Sequence, residues 1–246
     1  GWGSAPIVSL LAASVALLVV FTIAEVKQQP HGMFDLSLFR KPTFGGASIV
    51  AFALSASMFS MFLYLTLYLQ TILGLSPLQT GLRFLPVTVL AFIVSAVSGN
   101  LTERVPVRLL MFAGLVLVGV GLLLMRGLTV SSQWTALLAG FILAGAGIGF
   151  VNPALASTAI GVVPPQRSGM GSGINSTFRQ IGTATGIAVL GAIFESQLSS
   201  KLAPALSGTP VAGRTAQVAH AVAAGGSASV LARVPPAHRT QAATAI

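Results

Sequence analysis

The chain of 246 residues is 54% hydrophobic and only 7% charged, where a soluble globular domain carries about a quarter charged residues; with a mean hydropathy of +0.89, water is excluded as its main solvent. Its 13 Lys and Arg against 4 Asp and Glu give a formal charge of +9, but the basic residues are scattered through short loops and a C-terminal tail without forming a stripe, which argues against a nucleic-acid partner. There is no cysteine, so disulfides, thiol chemistry and Cys-ligated zinc are excluded.

Long apolar runs fill the chain, each able to cross the roughly 30 Å hydrocarbon core of a bilayer. They predict an all-α, polytopic transmembrane helix bundle with six spans. The first runs from Pro6 to Ala24 and closes at Glu25, Val26 and Lys27, with the proline in the first helical turn, where its missing N–H costs nothing. The chain opens at Gly1 and reaches this run without a basic segment, so the run is poorly described as a signal peptide and the chain reads as an internal fragment of a longer protein. A polar connector follows with Lys27, Pro30, His31, Asp35, Arg40, Lys41 and Pro42. Its apolar residues Phe34, Leu36, Leu38 and Phe39 are expected to lie flat at the membrane interface.

The second span covers Phe44 to Gln70, with Tyr64 and Tyr68 where an interfacial aromatic belt would place them. A turn on Gly74, Ser76 and Pro77 sends the chain into the third span, Gly81 to Asn100, which tolerates Pro86 because neighbouring helices can satisfy the freed carbonyl. The fourth span is Leu109 to Met125, the fifth Trp134 to Val162, and the sixth Met170 to Phe194 after the loop Pro164-Pro165-Gln166-Arg167-Ser168. From Glu195 onward hydropathy falls into an Ala, Ser, Gly and Pro-rich stretch. Residues 1–43 therefore form one span with its connector, 44–196 a five-helix bundle, and 197–246 an extramembrane low-complexity segment. Lys27, Arg40, Lys41, Arg104, Arg108 and Arg167 collect at one set of helix ends, which the positive-inside rule assigns to the cytoplasm; Arg126 and Arg83 mark the other side. The tail is then external.

Between the third and fourth spans stands Gly99-Asn100-Leu101-Thr102-Glu103-Arg104-Val105-Pro106-Val107-Arg108. It resembles the loop signature G-x-L-a-D-R-x-G-R-K of the major facilitator superfamily, matched at Gly99, Leu101, Glu103, Arg104 and Arg108, with Glu for Asp at 103, Pro for Gly at 106 and Val for Arg at 107. Leu38-Phe39-Arg40-Lys41-Pro42-Thr43-Phe44, the stretch from Tyr68 to Gly81, and Val163-Pro164-Pro165-Gln166-Arg167-Ser168-Gly169 with Arg179-Gln180-Ile181-Gly182 are similar to the fourteen-helix drug:proton antiporter branch. The resemblance is collinear over residues 1–196. It implies a linker helix and the first five helices of a C-terminal half, a missing N-terminal bundle as partner, membrane lipids around both, and a proton gradient as driving force with no cofactor. It implies multi-pass residence in a bacterial cell (inner) membrane and efflux of drugs or other amphipathic small molecules. A small residue at Gly99 is expected to let two helices approach, and the acid beside two Arg to form a charge network made in one conformation and broken in another. A merely topogenic loop is the alternative.

In the fifth span Gly145, Gly149, Asn152 and Ala156 share one small-residue face, while Phe141, Ile148 and Leu155 fall on a bulky one. The spacing of Gly145, Gly147 and Gly149 does not make a dinucleotide fingerprint. Asn152 beside Pro153 is a candidate cavity residue, with a structural bond to a neighbouring helix equally open. In the sixth span Ser172, Asn175, Ser176, Arg179, Gly182, Thr183 and Gly186 fall on one stripe, with Ile174, Phe178 and Ile181 elsewhere. Gly182 and Gly186 are its packing candidates, and Arg179 and Asn175 join Asn152 as the candidate substrate cavity. A charge at that depth costs at least about 2.5–3.5 kcal/mol and needs a partner or a wet cavity. Glu25, Asp35, Glu103 and Glu195 all lie at span ends or in loops, so no membrane carboxylate relay can be built from this chain alone. His31, His220 and His238 are isolated, no metal set is expected, and no hydrolase constellation is present, so the chain is not read as an enzyme. Transport of another solute (siderophore, sugar or lipid) and a non-transporting membrane scaffold remain the alternatives.

Overall fold

A computed structural model describes residues 4–27, 36–129 and 132–205. The regular elements are α1 (Ala5–Lys27), a 3₁₀ turn (Leu36–Arg40), α2 (Pro42–Leu67) continued by a π-helical turn (Tyr68–Ile72), α3 (Pro77–Arg83), α4 (Leu85–Leu101) and α5 (Val107–Leu124). They end with 3₁₀ turns at Trp134–Leu137 and Pro165–Arg167, the first preceding α6 (Leu138–Gly161) and the second α7 (Ser168–Ala205). Six helical segments among the described residues are long and apolar enough to cross a membrane.

Local chemistry sets several boundaries. Pro42 opens α2 in its first turn, where no backbone donor is lost. Gly74 and Gly127 take φ of +65° and +81° and turn the chain after the second and fourth spans, a region that only glycine enters freely. The third span starts earlier than its hydropathy predicts and is broken. Ser76 accepts from the Gln79 N–H, and the Gln79 side chain accepts from the Ser76 N–H, a capping box that starts α3 at Pro77; α4 then restarts beyond Phe84 with Pro86 in its first turn.

Glycine contacts assemble the bundle, as expected where lipid removes any hydrophobic drive between helices and close backbone approach must serve instead. α6 is central. It packs along α5 on one side and α4 on the other, while α2 packs along α7 and both touch α6. Phe141, Ala144, Val151, Ala154 and Leu155 of α6 are fully buried, so the bulky face predicted for this helix is core as much as the small one. Gly145 and Gly149 lie against α4, where added Cβ atoms would come within 2.5 Å of the Val87 carbonyl oxygen and 2.8 Å of that of Ala91. A second glycine face, which the sequence reading left unassigned, meets α5: Gly147 opposes Gly114 and Gly140 opposes Gly121, with Cβ positions 2.5 and 2.7 Å from the facing carbonyl oxygens. Gly182 and Gly186 of α7 press on the backbone of Phe52 and Ala56 of α2.

Lys41 and Arg83 mark opposite ends of the bundle. Lys41 Nζ donates to the Val162 carbonyl at 3.0 Å, tying the start of α2 to the end of α6. At the opposite end the Tyr68 hydroxyl lies 2.9 Å from the Thr129 carbonyl oxygen, and the Arg83 guanidinium sits 5.3 Å from the centroid of Trp134. Leu38 departs from its expected place at the lipid interface: it is buried with Phe44, Val163 and Ile174 beneath the α6–α7 turn, and Phe39 rests 5.7 Å from the Phe178 ring. Burial against the bundle is the stronger outlet for these side chains. α7 continues helically past Phe194 to Ala205; residues 206–246 with His220 and His238, and His31, Phe34 and Asp35 in the connector, lie outside the described residues.

Candidate functional site

The α6–α7 hairpin brings the three cavity candidates together. Gly171 of α7 lies directly against the Ala159 carbonyl of α6, and two turns further from the hairpin the same antiparallel register sets Arg179 opposite Asn152. Arg179 Nε donates to Asn175 Oδ1, one turn earlier on α7, at 3.0 Å. Its Nη2 donates to Asn152 Oδ1 at 3.0 Å. All three side chains are half-buried. The Thr183 hydroxyl closes the set by donating to the Arg179 carbonyl at 3.0 Å.

Arg179 faces an open groove of about 530 Å³ between α2 and α7, lined by Ser55, Phe59, Ser176, Arg179, Gln180, Thr183 and Ala184. The close contact of Gly182 and Gly186 with α2 fixes the distance between its walls. Ser55, Phe59 and Gln180 escaped the sequence reading. A weak signal existed in Ser48 and Ser55, two turns apart on one face of a mainly apolar helix. Neutral amide oxygens solvate the guanidinium without neutralising it, and no carboxylate lines the groove. The site can therefore donate to, and compensate the charge of, an acceptor-bearing guest.

The loop candidates lie elsewhere. Leu101 packs against the main core, while Glu103, Arg104 and Arg108 are exposed. Glu103 forms no ion pair with either arginine among the described residues, so the expected charge network is not made within this chain. Adjacent residues on a helical turn point apart, and the Arg104 and Val105 N–H groups are spent on the Leu101 carbonyl. A Cβ at Gly99 would meet nothing within 4 Å; the close approach expected there is not made among the described residues either. Among the described residues no cluster of His, Asp and Glu could hold a metal ion.

Membrane-length helices joined through glycine contacts, with a donor-lined groove between two of them, define a polytopic helical membrane protein. The family model for the Major Facilitator Superfamily matches residues 1–187, and the chain belongs to that family. It is 33% identical over 206 residues to the multidrug resistance protein Stp of Mycobacterium tuberculosis, covering 84% of this chain and 38% of Stp. It is 30% identical over 233 residues to the multidrug efflux pump LfrA of Mycolicibacterium smegmatis, 94% of this chain and 45% of LfrA. With the puromycin resistance protein pur8 of Streptomyces alboniger the identity is 33% over 254 residues, 99% of this chain and 50% of that protein. The chain thus spans half or less of the length of these curated relatives.

Proposed function

We propose that this chain forms the C-terminal transport bundle, with one linker helix, of a proton-coupled exporter of drugs and other amphipathic small molecules in the bacterial cell membrane. Relatives named for multidrug efflux and antibiotic resistance support the reading. The observation that carries it is the Arg179, Asn175 and Asn152 cluster, which holds a charged donor at the edge of a groove well inside the spans. A charge retained there at a cost of at least about 2.5–3.5 kcal/mol marks a pathway or a binding site by default.

In this reading an N-terminal bundle rocks against α2, α4, α6 and α7, supplies the proton-carrying carboxylates this chain does not place inside its spans, and meets the exposed Glu103, Arg104 and Arg108 at the cytoplasmic face. Gly99 is then the site of close approach between the two bundles. The activity proposed is transport, driven by the proton gradient without a cofactor.

Expression of the intact coding sequence in an efflux-deficient bacterium tests this. Accumulation of a panel of amphipathic drugs is expected to fall and to recover when a protonophore collapses the gradient. Accumulation unchanged across the panel would refute export, and reduced accumulation that ignores the protonophore would refute proton coupling.

A further inference from the structure

We infer that the groove beside Arg179 selects amphipathic molecules bearing an anionic group, a carboxylate or phenolate, over cations of the same size and shape. The inference rests on the transport reading above and names the substrate class of that site. A guanidinium offers a planar fork of N–H donors matched to a carboxylate, and only two of them are spent, on Asn175 and Asn152. Both Asn oxygens approach from the α6 side and from one turn earlier on α7, which leaves the rest of the fork to the groove. Around it, Ser55, Ser176 and Gln180 line the groove, and their side chains make no hydrogen bond among the described residues. Phe59 supplies an aromatic wall for the apolar part of a guest. The volume of about 530 Å³ suits a drug-sized molecule.

The charges on this chain oppose the converse preference. No acid lines the groove; Glu195, the acid that shares α7 with Arg179, lies about 24 Å further along the helix at roughly 1.5 Å per residue. A cation entering the groove would meet an unneutralised guanidinium with no carboxylate to offset it, whereas an anion would exchange lost hydration for charge-assisted hydrogen bonds.

The experiment is a comparison of two dyes built on one xanthene skeleton, anionic fluorescein and cationic rhodamine 6G, binding to the purified chain in phosphatidylcholine nanodiscs and followed by fluorescence polarisation. Fluorescein is expected to bind tighter by about tenfold or more, the range set by a hydrogen bond to a charged group. Arg179→Gln is expected to abolish the difference, Arg179→Lys to keep part of it because the charge stays while the fork is lost, and Arg126→Gln, which removes the same charge outside the groove, to change neither dye. If Arg179→Gln does not fold, Ala184→Trp decides in its place: it fills the groove from an exposed position on α7 without removing a partner of the guanidinium and should weaken fluorescein binding. Equal affinities, a preference for rhodamine 6G, no binding of either dye, or a fluorescein preference that survives Arg179→Gln or Ala184→Trp would each overturn the inference. Efflux by the intact protein with no charge preference in the groove would sink this inference alone, and a charge preference in a protein that exports nothing would sink the transport reading alone.

Discussion

Arg179 donates from Nε to Asn175 and from Nη2 to Asn152, so removal of either acceptor strands an N–H in a half-buried position. Asn152→Leu is therefore expected to lower stability by about 1–3 kcal/mol, the cost of a buried donor left unsatisfied. Asn152→Asp keeps an oxygen in the same place and adds an ion pair, and should recover most of that loss. Thermal unfolding in detergent checks both; a Leu variant as stable as the parent would mean that water or lipid headgroups already serve this donor. Of this cluster, Arg179 and Asn175 were legible because a charge and an amide one turn apart stand out on a helical stripe. Asn152 was only half legible. Its neighbour Pro153 marked it, but its bond to Arg179 depends on the register of the α6–α7 hairpin, which no local pattern encodes.

At the scale of elements, the contact of α5 with α6 is a pair of glycine oppositions spaced two turns apart on each helix, Gly114 with Gly147 and Gly121 with Gly140. Neither side has room for a methyl group: a Cβ on Gly147 would lie 2.5 Å from the Gly114 carbonyl oxygen and 2.7 Å from a Val118 side-chain carbon. Gly147→Ala should destabilise the bundle by about 1–3 kcal/mol, the usual cost of overpacking. Gly119→Ala, on the same α5 but with nothing within 4 Å of the new Cβ, should be stabilising by about 0.4–1 kcal/mol through the unfolded chain. Opposite signs from a glycine inside the interface and one outside it, read by unfolding in detergent, would separate packing from helix propensity; equal effects would remove the close contact as the cause. The sequence reading found the face of α6 carrying Gly145 and Gly149 and missed the one carrying Gly140 and Gly147. A helix with neighbours on several sides has no single preferred face, so periodicity finds one small-residue face without revealing that a second neighbour occupies another. The break in the third span was hidden because Phe84, Leu85 and Pro86 continue the apolar run after Arg83, while the Ser76 and Gln79 capping pair that starts α3 was visible in the letters as a Ser-x-x-Gln spacing.

Across the whole molecule the parallel pairs repeat one device. Gly145 and Gly149 of α6 sit on Val87 and Ala91 of α4, and Gly182 and Gly186 of α7 sit on Phe52 and Ala56 of α2, each pair four residues apart along helices running in the same direction. The bundle is thus one trio, α4, α5 and α6, and one pair, α2 and α7, joined through α6. α1 stands apart from this scheme. None of the side chains in its apolar window is buried, against 44% for the span containing α6, and Leu10, Leu17 and Leu18 are exposed. Only Glu25, at its last turn, is buried; in a bilayer the apolar window of such a helix is solvated by lipid, and its length and apolar surface hold it in the membrane. Removing residues 1–27 is therefore expected to leave the unfolding transition of the remaining helices where it was, because the glycine contacts that hold the trio and the pair are untouched. Near-complete retention in detergent and in nanodiscs is the outcome that separates α1 from the bundle. A fall in the transition temperature in nanodiscs alone would mean that the bilayer presses α1 onto a bundle face, and the apolar exposure of α1 would then be a property of the isolated chain and not of the membrane-embedded protein.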